Sequence, residues 1–241
     1  MNPKLTGKKE LDFWKKIILA LDESVPFYNF VNSIISFGQI QRWREKGLRS
    51  FSIDGMNILD AGIGLGGMSI TAKKFSNPKL IVGLDASCIM LKKVCENIKK
   101  TNNINILPVN GVFEALPFRE GIFNGVICGF SFRDAINMDV SLADLKRVIC
   151  SNGELLIVEV GKPDNLVVRS VYALFWKLIV PTLARFALGT KLKSNPWTWL
   201  YHTYDNLPSN SKLLDKISKQ FKSIKKNEHY FGCLIVIYAK S

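Results

Sequence analysis

A short apolar run that ends in an acid and passes at once into a glycine-rich loop constrains this chain more than any other feature. Asn57-Ile58-Leu59-Asp60 reads as a buried strand, and Ala61-Gly62-Ile63-Gly64-Leu65-Gly66-Gly67 follows it. Glycine turns tightly and lets a backbone approach a ligand closely, and a loop of this kind between strand and helix belongs to parallel α/β sheets. The downstream pattern agrees. A helix is expected from about Met68 to Phe75, a strand at Leu80–Asp85 and a helix from about Ser87 to Lys100. Further strands follow at Ile104–Val109, Phe123–Cys128 and Glu154–Glu159, the last after a helix at Val140–Ile149. Short apolar runs alternating with helical stretches predict a doubly wound parallel sheet.

The chain ends differently. Phe221–Tyr230 and Cys233–Lys240 are separated only around Phe231-Gly232, which leaves no room for a crossover helix. They must pair as an antiparallel hairpin. The expected fold is therefore α/β, a Rossmann-like doubly wound seven-stranded sheet with an antiparallel last strand. Before it, residues 1–50 read as a helical cap, helical from Leu11 to about Lys46 and broken near Pro26. A helical, aromatic-rich insertion at 161–218 precedes the hairpin on the substrate side, all within a single domain of 241 residues.

Gly62, Gly64 and Gly67 satisfy G-x-G-x-x-G, which is also the dinucleotide fingerprint. Asp60 discriminates. A carboxylate at the strand end would face a pyrophosphate with like charge, whereas S-adenosylmethionine brings an α-amino group and a sulfonium, beside which an acid is favourable. The antiparallel ending is likewise the class I methyltransferase topology and not the usual dehydrogenase one. Asp85, 25 positions after Asp60, ends the second strand and can accept both ribose hydroxyls. Its alternative role is a helix N-cap, since Ala86-Ser87 opens a helix.

The formal net charge of +13 suits nucleic acid, an anionic membrane surface or acidic substrates, or else a merely solvated face. The five cysteines make no C-x-x-C pair and no metal-like cluster with the two histidines, so no metal is expected; their apolar flanks suit buried thiols in a reducing, cytoplasmic setting. No apolar signal core follows Met1-Asn2-Pro3-Lys4, so secretion is not expected. The run Val167–Leu188 carries Arg169, Lys177, Arg185 and Pro181. Each charge at mid-bilayer would cost about 2.5–3.5 kcal/mol, so the run is expected to lie on a membrane surface at most.

Several segments together resemble the menaquinone/ubiquinone C-methyltransferase family. They are the loop, Gly83-Leu84-Asp85-Ala86-Ser87 with Met90-Leu91, Leu116-Pro117-Phe118 and Gly129-Phe130-Ser131-Phe132-Arg133-Asp134, then Arg147-Val148, Gly153–Leu156, Glu159 and Lys162-Pro163. Tyr28, Asn32, Gly38 and Trp43-Arg44 follow the family's N-terminal pattern, and Trp197-x-Trp199-Leu200 with Pro208 its late segment. The resemblance implies methyl transfer from S-adenosylmethionine to a ring carbon of a prenylated hydroquinone or naphthoquinol. It gives the basic charge and apolar insertion a purpose, docking on anionic lipid and wrapping a greasy tail. It implies a lipophilic quinol as partner and contact at the membrane periphery. No nucleic acid is expected, and a homodimer is left open. The cofactor-side positions are Asp60, Gly62, Gly64, Asp85, Ala86, Asn110, Val112, Phe113 and Gly129. Two departures stand out: the family's acid after the third strand is Val112 here, so an adenine contact falls to the backbone or Asn110, and its Asn after the Arg is Asp134.

Carbon methylation needs an electron-rich ring, helped by loss of a phenolic proton. The family places Arg133 at this step. A guanidinium is a poor proton acceptor, so Arg133 is expected to stabilise the phenolate, Asp134 or a water to take the proton, and Tyr28 to orient the hydroxyl. His202 is an alternative base, while His229 reads as a strand residue. Tyr172, Phe175 and Trp176 form a stripe that fits either core or substrate pocket. The competing classes are a nicotinamide-linked oxidoreductase, an RNA methylase, a cofactor-binding module without catalysis, and a methyltransferase for another phenol or sterol.

Overall fold

The computed structural model describes residues 15, 18–19, 22–99, 106–188 and 196–241. The expected helix start at Leu11, Lys100, Ile104-Asn105 and part of the insertion, residues 189–195, lie outside them. A seven-stranded sheet has the order β3-β2-β1-β4-β5-β7-β6. Its strands are β1 (Asn57–Ala61), β2 (Leu80–Asp85), β3 (Ile106–Asn110), β4 (Phe123–Gly129), β5 (Ile149–Val160), β6 (Ser223–His229) and β7 (Leu234–Lys240). The first five run parallel, and β7 inserts antiparallel between β5 and β6. β5 starts earlier than its apolar run suggests, because Ile149 pairs with Phe123 across an irregularity before Glu154 resumes the register opposite Gly125.

Strand alternation divides the core into two layers. Ile58, Ile81, Ile127, Leu156 and Val236 face one side, where Val31, Leu48, Trp176 and Val180 cover them. Leu59, Val82, Val126, Leu155 and Ile237 face the other, under Leu142, Leu145, Leu213 and Ile217. The inner strands β1, β2, β4 and β7 read as apolar runs because both faces are buried, whereas edge strand β6 is polar and mostly exposed.

The helices α1 (Tyr28–Ile35) and α2 (Ile40–Leu48) come before the sheet. The break near Pro26 is a 3-10 turn at Val25–Phe27, as a proline at the start of a helical turn allows. α2 lies tight on β5: a Cβ at Gly47 would stand 2.3 Å from a Val158 methyl, and the Tyr238 hydroxyl donates to the Gly47 carbonyl at 2.8 Å. The crossover helices are α3 (Gly67–Ala72), α4 (Cys88–Lys99) and α5 (Met138–Val148). The insertion is helical as expected, with α6 (Leu166–Leu174), a π-helical turn at Phe175–Ile179, α7 (Val180–Leu188), α8 (Trp199–Asn206) and α9 (Asn210–Ser218). Buried Asn210 ties its ends to the hairpin, accepting from the Lys162 N–H at 2.8 Å and donating to the Gly232 carbonyl at 2.9 Å.

Gly47→Ala is expected to lower unfolding stability by about 1–3 kcal/mol, since the added methyl overpacks the α2–β5 contact. A urea midpoint unchanged from the parent would show that Val158 yields freely.

Candidate active site

Sheet order reverses between β1, which is followed by β2, and β4, which lies on its other side. At such a switch point the strand ends part and leave a crevice. A cavity of about 1200 Å³ opens there, walled by the glycine loop, by α1 and α2, and by the aromatic face of the insertion. That exceeds the roughly 300–1000 Å³ of an ordinary ligand pocket, so two ligands fit side by side.

The loop supplies one half. Gly62, Gly64 and Gly66 all have left-handed backbone, with φ of 75°, 52° and 85°. Gly62 admits no side chain, since its Cβ would lie 2.4 Å from that of Ser131; the Ser131 hydroxyl donates to the Ala61 carbonyl at 2.7 Å. The Asp85 carboxylate accepts from the Gly64 N–H at 2.8 Å and the Ser87 N–H at 2.9 Å. Burial pushes its pKa up, and these N–H groups oppose the rise. Ser87, not Asp85, caps α4, accepting from the Met90 N–H at 3.0 Å. Each Asp85 oxygen thus keeps a lone pair for a diol. Asp60 is buried under the loop, accepts from the Ser69 hydroxyl at 2.5 Å, and is pushed up to about 7 by burial, against Ser69 and the Arg44 charge.

The loop is poorly equipped for phosphate. The Gly62 and Ile63 N–H groups donate to the Leu84 carbonyl at 2.8 and 2.9 Å, Gly66 donates to Ile63 at 2.9 Å, and Gly64 is taken by Asp85. With these donors spent inside the protein and two acids beside them, the loop suits a cation and a diol. Ala86, Val112, Phe113 and Gly129 line the same half. Asn110 does not: its amide donates to the Asp85 and Ala86 carbonyls, both at 3.0 Å, bracing the strand ends from behind the wall. The Asn110 side chain is thus held against the strand ends and is not among the lining residues, whereas Val112 and Phe113 are.

The other half is polar at its base. After β4 the chain turns through Phe130, at φ 59°, into the short turn Phe132–Asp134. Arg133 is buried and pairs with fully buried Glu159 at 2.6 Å. Glu159 also accepts from the Val160 N–H at 2.9 Å. Burial alone would lower the Arg133 pKa, but Glu159 and Asp134 hold it above the ordinary arginine value. Its Nε has no hydrogen-bond partner among the described residues and stands 3.7 Å from Asp134. Burial raises Asp134 to about 6 against the pull of Arg133, with a hydrogen bond from Thr203. Burial likewise raises Tyr28, whose phenol faces Arg133, Asp134 and Arg44 and bonds Asn32. Tyr28, Arg133 and Asp134, distant in sequence, thus meet at one wall of the cavity.

A profile of the ubiE/COQ5 methyltransferase family matches residues 15–240. The chain belongs to this family. It is similar to the demethylmenaquinone methyltransferase of Staphylococcus aureus, strain MRSA252, with 28% identity over 188 residues, 77% of this chain and 76% of that one. Among solved structures it resembles a SAM-dependent methyltransferase from Aquifex aeolicus, at a TM-score of 0.57 and 15% identity, covering 88% and 97% of the two chains. The YcgJ protein of Bacillus subtilis shares the fold at a TM-score of 0.53 and 14% identity, covering 83% and 98%. This family member is an S-adenosylmethionine-dependent methyltransferase with the Rossmann-like fold expected from its strand pattern.

The remaining wall of the methyltransferase site is aromatic. Tyr172, Phe175 and Trp176 all line the cavity; Tyr172 and Trp176 pack on Tyr204 and Phe175 stacks on Tyr172, so the stripe is both core and pocket. His202 is exposed and does not line the cavity, which removes it as a base; His229 ends β6, as expected. Glu159 had no assigned role from the sequence. The available signal was an acid inside the otherwise apolar run Leu155–Val160, a place where only a buried partner keeps a carboxylate. Ser131 and Arg44 stood in the segments that carry the family resemblance but without an assigned role, and Thr203 gave no signal. Glu159→Gln is expected to destabilise the protein by about 3–5 kcal/mol in urea unfolding, because Arg133 is left buried without its anion. The double variant Glu159→Leu, Arg133→Met is expected to recover most of that loss.

Proposed function

We propose that this methyltransferase methylates a ring carbon of a prenylated hydroquinone or naphthoquinol. The observation that carries the reading is the Tyr28–Arg133–Asp134 cluster at the junction between the glycine-loop half and an aromatic, apolar half. When bound, S-adenosylmethionine would supply an electrophilic methyl group: the ring carbon would gain the new carbon–carbon bond, the carbon–sulfur electron pair would stay on sulfur as S-adenosylhomocysteine, and the proton on that ring carbon would then pass to solvent to restore the aromatic ring. Asp60 would face the positive end of the cofactor and Asp85 would accept from its ribose, with Val112 and Phe113 beside the adenine.

The protein's work on the acceptor is to make the ring electron-rich. Asp134, with a pKa of about 6, is ionised at neutral pH and takes the phenolic proton. The Arg133 Nε–H, buried and unpartnered, is the donor left for the phenolate oxygen. Its charge is too firmly held by Glu159 for Arg133 to serve as a base. Tyr28 orients the hydroxyl. The aromatic wall and Phe130 sandwich the ring and exclude water, and the similarity to a demethylmenaquinone methyltransferase supports a quinol of that class.

The surface around the mouth supports loading from a membrane. Leu166–Ala187, 22 residues of mean hydropathy 1.5, is long and apolar enough to cross a membrane by length and composition. Its Trp176, Val180 and Ala184 face the protein core, and the Arg169 guanidinium donates to the Pro163 and Asp164 carbonyls. The run therefore lies on the protein and presents its other face. Leu166, Val171, Leu174 and Phe186 are exposed there, and at the hairpin tip Phe231 is 89% exposed. Tyr230, Phe231 and Gly232 all have positive φ, a strained run for two aromatics. Lys177 and Arg185 on the same helix suit anionic headgroups.

Demethylmenaquinol with S-adenosylmethionine is expected to yield the carbon-methylated quinol. The rate should fall about tenfold per pH unit below about pH 6, where Asp134 is protonated. Asp134→Asn is expected to lower kcat by about 10²-fold and abolish that acid limb. Methylation of a phenol or sterol but of no quinol would overturn the acceptor, and an unchanged limb would pass the proton to water. Phe186→Ser with Phe231→Ser is expected to weaken sedimentation with phosphatidylglycerol vesicles and to raise KM for a long-tailed quinol, leaving that for a short-tailed one alone. Equal sedimentation of parent and variant would remove the membrane contact.

A further inference from the structure

We infer that Arg44 is the carboxylate clamp of the cofactor site, so that Arg44 and Asp60 together read the amino-acid end of S-adenosylmethionine as a zwitterion. The inference rests on the cofactor assignment and deepens it.

Arg44 projects from α2 across the first residues of α3. A Cβ at Gly67 would stand 2.4 Å from the Arg44 Cζ and 2.6 and 2.8 Å from its two terminal nitrogens. The guanidinium therefore packs closely on Gly67, and a side chain there would have to push this flexible arginine end aside. Gly67 has an ordinary backbone conformation, since it is absent from the positive-φ glycines. Its lack of a side chain is needed for the arginine, not for the turn.

The guanidinium has no hydrogen-bond or ion-pair partner among the described residues, and its Nε is both buried and unsatisfied. Other arginines here have an anion or carbonyl: Arg133 pairs with Glu159 through its terminal nitrogen, Arg147 with Asp144, and Arg169 donates to carbonyls. Arg44 is partly buried, a cation without an anion there is a cost to the fold, and the burial holds it below the ordinary arginine value. Two groups face it. Tyr28 is a phenol, and Asp60, its hydrogen bond already spent on Ser69, sits at about 7 and supplies only part of a charge. One turn away Gln41 and Thr71 bond each other and leave the guanidinium alone. Arg44 nevertheless lines the cavity.

The order of charges then matches the ligand. Asp85 holds Gly64 and offers acceptors to a ribose. Asp60 lies under the loop, where an ammonium and a sulfonium are welcome. Arg44 stands over Gly67, at the other end of the loop, as the cation for a carboxylate. A planar guanidinium can take both carboxylate oxygens at once.

The test is calorimetric binding of three probes to the full chain: S-adenosylmethionine, its decarboxylated analogue, and methylthioadenosine, which lacks the amino-acid end. Arg44→Met is expected to weaken S-adenosylmethionine about 30-fold or more and the other two less than about twofold, by the same principle of a lost carboxylate partner. Arg44→Lys should recover part of the loss. Gly67→Ala, which displaces the guanidinium while keeping it, should show the same selectivity. Without ligand, Arg44→Met is expected to keep or raise the Tm, since it removes an uncompensated buried charge, whereas a merely structural arginine would lower it. Equal loss for all three probes, or none for any, would overturn the clamp and leave the cofactor standing. Failure of the parent to bind any probe would overturn the cofactor assignment and the clamp with it.

Discussion

Everything at the site depends on β1 being paired in parallel on both sides, with β2 along one edge and β4 along the other. Right-handed crossovers then carry the chain to opposite flanks, and the strand ends between them part. Into that gap the chain inserts Gly62 from one side and Ser131 from the other. Their contact is so close that neither a Cβ at 62 nor a displaced Ser131 is compatible with it. The same closure brings Arg133, four residues past Gly129, within reach of the glycine loop. Cofactor half and acceptor half are therefore built by one joint and share one cavity.

Charge is buried there in an ordered way. Glu159 neutralises Arg133 within the core, and the Arg133 Nε is left buried without a hydrogen-bond partner, 3.7 Å from Asp134. Asp134 and Asp60, which lack so strong a partner, respond to burial by shifting toward neutrality, to about 6 and about 7. Arg44, which cannot lose its proton, stays charged and unmatched. Such unmatched groups would be faults in a purely structural core. Here all of them line one cavity, where the proposed sulfonium, ammonium and phenol would meet them.

Much of the fold was legible in the residues. Strands buried on both faces read as apolar runs, the last two sit too close for a crossover, and Asp60 before the loop distinguishes a cationic cofactor from a phosphate-bearing one. The loop's donors proved to be spent internally, which the sequence could not show, although it agrees with that choice. Element ends were less legible. α3 begins at Gly67 and β5 at Ile149, because hydrogen-bond register and not hydrophobicity sets them. Asn110 looked like an adenine ligand from its position after β3, but its amide is drawn back to the Asp85 and Ala86 carbonyls. His202 has suitable chemistry and is simply on the outside of α8.

By itself the sequence determined the winding of the sheet, the class of cofactor and the family, because these rest on local periodicity, on glycine's lack of a side chain, and on charge type at a strand end. Only the tertiary structure decided which side chains share the cavity. Tyr28 from α1, Arg44 from α2, Arg133 and Asp134 after β4 and Thr203 from α8 converge there, and no spacing along the chain encodes that convergence. It also decided that Glu159 holds Arg133 while Arg44 is left unmatched. Which buried charge finds a partner depends on packing in three dimensions, and the free energy at stake, about 3–5 kcal/mol for one broken pair, is set by burial that appears only when the chain is folded.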